Sequence, residues 1–462
     1  MNNIVYCFLI LGAAILGACS PAKDINSQPS TTTKQQSDAS IKTDSRPEIN
    51  TPTVSINTLL DDENQCKVEI QSYKDEGTLV FNSREIDYLM RGDIIDAPIS
   101  LVTKKDGTTV WFLPTALQQN GKIYLSHTVV RGDLYDLPNS EVVVIDEEEL
   151  FTESKAVVEA KKSIGRHWIT NITQTKEGLL AQIHSEYTAE GDFFGMECII
   201  RNDVRTCAPG VSKISLAWLP IEKFENDNYD FLFLGHLVGP ASDIPHLNVH
   251  GTPWYVNTGE DGVEYLNLIY ADEDFSKTET GGWATVDGMS HYIARVRAPF
   301  ADVIKDAMNG KIGTWEKQYG NNWSKNLEKH AVGILPKLRQ KFNRVDKRLT
   351  AGSVIVHSDA IKHLETGRYF LSTYLLRTKS KPSRLVFYSS CDGEKWTLAG
   401  GGNPRGDGKS GWSYLTLLDR DNTDFGVAKK EFDVIAGFDY GKPKRSVYRM
   451  KVDIGDNCSC NN

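Results

Sequence analysis

The chain has 462 residues, a formal net charge of −9, and 40% hydrophobic and 10% aromatic residues. That acidity, with no basic stripe to reverse it locally, argues against a nucleic-acid partner. Beyond the first residues, no stretch is long and apolar enough to span a bilayer as a helix.

Residues 4–15 are mostly apolar and too short for a membrane span, which fits the apolar region of a secretory signal. Leu16-Gly17-Ala18-Cys19 follows and resembles a bacterial lipobox: a branched aliphatic, two small residues, then the cysteine whose thiol takes the lipid. Met1-Asn2-Asn3 carries no Lys or Arg, so an ordinary signal peptide with an incidental cysteine is the alternative. Ser20 stands where retained inner-membrane lipoproteins usually carry Asp, so a lipid-anchored place in the cell envelope is expected, with the outer membrane favoured. Residues 1–18 are therefore predicted as signal peptide, and 19–55 as lipidated cysteine plus linker. Residues 20–55 are mostly Ser, Thr, Gln, Lys, Asp and Pro and cannot offset their ordering entropy by burial. They are expected to be a disordered tether with a coil reach of roughly 30 Å.

Residues 56–462 carry the fold. Strand-like runs of β-branched and aromatic residues alternate with Gly, Asn and Asp turns, and an all-β chain is predicted. The clearest helix is 299–309, where Phe300, Val303, Ile304 and Ala307 share a face and Gly310 follows as a stop. The strands group into units of one form: an apolar strand, an Asp-Gly or similar turn, then an aromatic-rich strand. They begin near Asp96, His167, residue 244, residue 354 and Trp412, and their turns include Asp106-Gly107, Glu177-Gly178, Asp261-Gly262 and Thr366-Gly367. Five such units predict a five-bladed β-propeller, with a pair of β-sandwiches as the alternative.

Of eight cysteines, Cys7 lies in the signal and Cys19 at the anchor; Cys66, Cys198, Cys207, Cys391, Cys458 and Cys460 remain. An even set in an exported chain predicts disulfides. Cys198 and Cys207 flank Asn202-Asp203 and suit a stapled hairpin. Cys66 and either Cys458 or Cys460 sit at the two ends of the fold, where a propeller must close its ring. A thiolate zinc site lacks paired knuckle spacing.

At this point the sequence resembles the five-bladed propeller glycosidases, the arabinanase and β-xylosidase group with its secreted relatives. The likeness spans residues 90–455 and rests on short motifs in order: Asp96-Ala97-Pro98, His184-Ser185-Glu186-Tyr187, Arg297-Ala298-Pro299-Phe300, His357-Ser358-Asp359-Ala360, and Ser390-Cys391-Asp392-Gly393 with Trp396. Asn322-Trp323-Ser324 departs from the Gly-rich sequence usual there. The resemblance implies a glycan ligand and cleavage by a base-activated water, hence inversion.

Polar groups at inner-strand ends of a propeller converge on one funnel, and glycoside hydrolysis needs two carboxyls across the scissile bond. Asp96 is the candidate base, Glu186 the candidate proton donor beside apolar Ile183 and Tyr187, and Asp359 the group that orients or modulates them. His184 and His357 each lie two residues before an acid, hence on one strand face with it. With His250 and Arg297 they are the candidate substrate contacts. Trp254, Trp283 and Trp412 are candidate sugar platforms. No cofactor is expected, although a histidine-held cation at the axis would suit the arrangement. A glycan-binding lipoprotein without chemistry, and a propeller used as an interaction scaffold, are the competing readings.

Overall fold

A computed structural model of the chain describes residues 66–70, 78–81, 94–95, 97–119, 122–136, 139–153, 165–187, 197–201, 204–208, 211–239, 247–274, 290–327, 353–354, 358–378, 381–402, 412–421, 426–438 and 446–460. The expected signal, Cys19 and the linker lie outside them.

The fold is all-β, a five-bladed propeller. Blade one comprises Ser100–Thr103, Thr109–Gln119, Lys122–Arg131 and Glu141–Asp146, and blade two Gly165–Gln174, Gly178–Tyr187, Val211–Pro220 and Phe231–Val238. Blade three comprises Trp254–Thr258, Glu264–Asp274, Ser290–Pro299 and Glu316–Tyr319, and blade four Ala360–His363, Arg368–Thr378, Lys381–Ser390 and Thr397–Gly402. Blade five has Trp412–Asp419, Phe432–Phe438 and Ser446–Ile454. Its outermost strand comes from the other end of the chain: Val68–Ile70 runs antiparallel to Ser446–Ile454, with Val68 opposite Ile454 and Ile70 opposite Val452. Thr78–Phe81 extends that edge, with Thr78 opposite Arg449.

Both faces of a blade are buried, so its middle strands are apolar throughout rather than alternating with polar residues. Successive side chains instead serve two different cores. Val110 and Phe112 join the core between blades one and two, while Trp111 and Leu113 join the one between blades five and one. Leu179, Ala181 and Ile183 likewise face blade one, whereas Leu180 faces blade three. A further core lies between blades four and five. The core holding Ile99 and Leu101 with Leu418, Ile435 and Val447 joins blade five back to blade one. Each large side chain so buried contributes about 1.5–3 kcal/mol against exposure.

The ring is also closed covalently. Cys66 is bridged to Cys458, 392 residues away, as the positions of the two cysteines suggest. Sequence leaves Cys391 unassigned; it is bridged to Cys460 and ties the C-terminal segment to blade four. Cys198 stands opposite Cys207 in a hairpin of Glu197–Arg201 and Val204–Ala208.

The expected helix is Phe300–Met308, with Val303, Ile304 and Ala307 buried and Gly310 at φ +71° after it. Among the described residues no helix is long and apolar enough to cross a membrane.

Candidate active site at the funnel end

Inner strands of neighbouring blades splay apart, so their backbone groups need partners other than a sheet neighbour. Short polar side chains supply them. Thr416 of blade five accepts from Ile99 N at 2.9 Å and donates to Ile99 O at 3.0 Å. Gln182 of blade two donates to Gly251 O at 2.9 Å, and Thr252 donates to Ser358 O. Asn171 Nδ2 reaches Thr252 O at 3.3 Å and Asp359 Oδ1 at 3.2 Å. The last bond joins blades two and four, which are not neighbours, and so crosses the axis.

Asp359 is the centre of this network. It is 1% exposed. Its Oδ1 also accepts from Ala360 N at 2.8 Å, and its Oδ2 accepts from Leu417 N of blade five at 2.8 Å. Burial pushes its pKa up to about 7, although the N–H groups of Leu417 and Ala360 and the Asn171 amide all favour the carboxylate. A carboxyl so enclosed holds blades two, four and five in register and does not present itself to a ligand.

Asn171 owes its aim to a β-bulge. Asn171 is opposite Gln182, but Ile183 is opposite Ile169, so Thr170 is the extra residue. The bulge reverses the side-chain parity and moves Asn171 from the face of Ile169 to the face of Gln182. Nothing in the local sequence marks this, and Asn171, Thr252 and Thr416 are functional-site neighbours that sequence reasoning misses. His127 is another: wholly buried, it accepts from Ile169 N at 2.9 Å through Nε2, and burial lowers its pKa to about 3.

The remaining candidates are placed by register. The N-terminal end of each inner strand and the C-terminal end of the strand paired to it form one end of the propeller, termed here the funnel end. Glu186 is there, opposite Arg166 and Ser212. His184 is on the same strand, opposite Trp168, buried at 5% exposure with its ring 5.5 Å from the indole. His250 ends the strand Leu247–His250, opposite Ala271, at that same end. Nothing beyond strand position is described for Glu186 and His250. Asp96 and His357 lie outside the described residues, as does Trp283; their neighbours Ile95, opposite Thr115, and Ser358 are described.

Arg297 belongs to the opposite end, opposite Asn267 and next to Glu316. Its guanidinium lies 3.9 Å over Trp323 and 4.1 Å over Tyr265, and it pairs with Glu394 of blade four at 3.5 Å. The structure therefore does not bring Arg297 to the other candidates; its aromatic partners and the carboxylate hold it as a clamp between blades three and four. Trp254 is likewise core, 4% exposed between blades two and three.

Among the described residues no group of three or more His, Cys, Asp or Glu side chains is placed to hold a metal ion. Asn171 Oδ1 and Gln182 Oε1 are buried without a protein donor, but the nearby Asp359 carboxylate is already taken up by N–H groups. A hard cation needs several oxygens, usually with free carboxylates among them, and this set does not amount to one.

No family model matches the chain, and no curated protein matches it. Solved structures do, as likenesses of shape at low identity. A GH43_1 enzyme from Xanthomonas citri matches with a TM-score of 0.41 and 9% identity over 83% of this chain and 92% of that one. An endo-arabinase from Bacteroides thetaiotaomicron matches with a TM-score of 0.37 and 11% identity over 78% and 95%. The GH93 α-L-arabinofuranosidase of Fusarium graminearum, solved with arabinobiose, matches with a TM-score of 0.39 and 9% identity over 77% and 92%.

Proposed function

We propose that the chain is a glycoside hydrolase, tethered to the surface of a bacterial outer membrane by a lipid on Cys19. The observation that carries the catalytic reading is one of register: Glu186, His184 and His250 occupy the same end of neighbouring blades. Asp96 follows Ile95, whose partner Thr115 is also at that end. An acid and a base on opposite sides of a funnel are what glycosidic cleavage requires. Asp96 acts as general base on a water, Glu186 protonates the departing oxygen, and His184, His250 and His357 contact sugar hydroxyls. Asp359 touches no substrate; it positions the inner strands. The lipid anchor rests on the lipobox alone.

The test is a screen of plant and algal glycans, followed by Asp96→Asn and Glu186→Gln on whichever is cleaved. Each change is expected to lower turnover by about 10²–10⁴-fold, the usual worth of a positioned acid or base. Melting temperature and glycan binding should stay at wild-type values. The anomer released, followed by NMR, should be inverted, which corresponds to carboxyls about 6.5–9.5 Å apart. Wild-type rates in both variants would remove the assignment. Membrane fractionation of wild type against Cys19→Ala tests the anchor, and a soluble wild type without lipid mass would refute it.

A glycan-binding lipoprotein without chemistry is the second reading, supported by the enclosure of Asp359, which leaves two carboxyls rather than three for the funnel. Binding without cleavage across the screen would favour it.

A further inference from the structure

Blade two carries a row of polar side chains that the axial network does not use. His167 Nδ1 is 2.9 Å from Ser185 Oγ, Ser185 Oγ is 2.9 Å from Ser215 Oγ, and Ser215 Oγ is 2.8 Å from His236 Nδ1. The row thus crosses the four antiparallel strands of the blade, from the innermost to Phe231–Val238, whose first residues pair further outward with Phe151–Glu153 and whose His236 lies beyond that pairing.

It is built rather than incidental. His167 and Ser185 are direct cross-strand partners. His236 is opposite Ser215 only because a bulge shifts the register after Ile214, whose partner is Val238. Ser185 and Ser215 are wholly buried. Phe151 and Phe233 pack on the row, with ring centroids 5.8 and 4.6 Å from His167 and Phe233 also 5.9 Å from His236. His167 stands at the funnel end, one residue from the strand partner of Glu186, and is partly exposed; His236 is exposed at the outer edge of the blade.

We infer that His167, Ser185, Ser215 and His236 form a proton relay connecting solvent at the outer edge of blade two with the funnel wall. Three hydrogen bonds need three protons, and the two hydroxyls supply two. The third sits on Nδ1 of one imidazole, while Nδ1 of the other accepts. The row therefore has a direction, and the two imidazoles are of opposite tautomer when both are neutral. A proton taken up at Nε2 of His236 is balanced by release of its Nδ1 proton to Ser215. Ser215 passes its own proton to Ser185, and Ser185 passes its own to Nδ1 of His167. His167 then releases the proton on its Nε2 to the funnel, and the row is left with its direction reversed. No group stays charged at the end, and reorientation of the hydroxyls and imidazoles resets the row.

The charged and titratable neighbours set the cost of the cationic step. Lys213, opposite Ser185 on the third strand, faces His236, and His127 of blade one packs on Phe151 with ring centroids 6.0 Å apart. His236 is held well below the usual imidazole range, at about 4, first because its inward side is desolvated and then because Lys213 repels the cation. The cation is thus a passing state, as a relay requires. The relay belongs to blade two and stands or falls separately from the glycosidase reading.

Nitrogen-15 NMR of the imidazoles in the full chain, without any ligand, tests it. In the wild type at neutral pH, one of His167 and His236 should carry its proton on Nδ1 and the other on Nε2. Ser215→Ala touches no atom of His167, yet it should change the tautomer balance of His167. Ser215→Thr keeps a hydroxyl and should restore it, which separates the relay from a general loss of structure. Two results would overturn the inference: both imidazoles protonated on Nδ1 at once, or His167 signals identical in wild type and Ser215→Ala with Ser215→Thr folded.

Discussion

The two ends of the propeller are built differently. At the end away from the funnel, every connection within blades one to four that returns from an inner strand is a tight turn. Asp106 Oδ1 accepts from Thr108 N at 2.8 Å and Asp261 Oδ1 from Val263 N at 3.1 Å, with Gly107 and Gly262 at φ +88° and +77°. Ion pairs cross between elements there, including Lys104 and Arg131 on Asp227, and Arg420 and Arg449 on Asp433. The bridges Cys66–Cys458 and Cys391–Cys460 are there as well. The funnel end instead carries the longer connections: in chain order the hairpin 197–208 falls between Tyr187 and Val211, which end and begin adjacent strands of blade two at that end. One end holds the blades in place, and the other carries the connections that can vary in length and sequence. This division is what lets a propeller change its chemistry without changing its frame.

That contrast can be broken most forcefully at the ring closure. Replacing Cys66 and Cys458 by serine releases a loop whose chain-entropy ceiling is about 6 kcal/mol, and loss of native bridges usually costs about 2–5 kcal/mol. Urea unfolding under non-reducing conditions should show a loss of that order, with funnel ligands still bound below the transition. A loss of similar size is expected from Asp359→Ala, about 3–5 kcal/mol, since Leu417 N, Ala360 N and the Asn171 amide lose a buried acceptor together. Denaturant titration reads it, and unlike the disulfide change it should also weaken ligand binding, because it loosens the inner strands.

Arg297→Ala sharpens the comparison from the other side. It removes stacking on Trp323 and Tyr265, worth about 1–2 kcal/mol of stability. Its position predicts no change in kcat or KM on any glycan the chain cleaves, and a change in KM alone would return Arg297 to the site.

The smallest effects are those of pH. His127 and His236 have pKa values lowered to about 3 and about 4, so between those values and 6.5 the unfolded chain binds protons that the folded chain does not. Their contribution to stability falls as the pH drops through that window. Asp359 works in the opposite sense: raised from 3.8 to about 7, it keeps a proton in the folded state that the unfolded chain has released, so its contribution falls as the pH rises through that window. Asp359→Asn abolishes this second slope. Its stability relative to wild type should therefore increase from pH 4 to 7, as measured by denaturant midpoints, and a parallel pair of curves would contradict the pKa assignment.

The blades were legible because two features are local: apolar runs long enough for a strand, and turns such as Asp106-Gly107 whose backbone needs glycine. The helix Phe300–Met308 was legible from its spaced apolar face. Ring closure was legible from cysteines at the two ends of the fold. What escaped depends on parity or on distant partners. The bulge at Thr170 turns Asn171 toward the axis, and the bulge before Ser215 brings His236 to it; neither leaves a mark in composition. Cys391 finds Cys460 across blade four, with no motif joining them. Sequence alone leaves Arg297 open to a substrate role, because Trp323, which lies 3.9 Å from its guanidinium, is 26 residues away and nothing local joins the two.

The closure of the ring also fixes how the molecule carries load. A pull applied on the N-terminal side of Cys66 meets the covalent bridge to Cys458 before it meets any backbone hydrogen bond of Val68–Ile70. From Cys458 the tension passes along the short C-terminal segment to Cys460 and through Cys391 into blade four. Force arriving at one thread of the chain is thus divided between two blades, and the edge strand that shuts the propeller is spared from being peeled away.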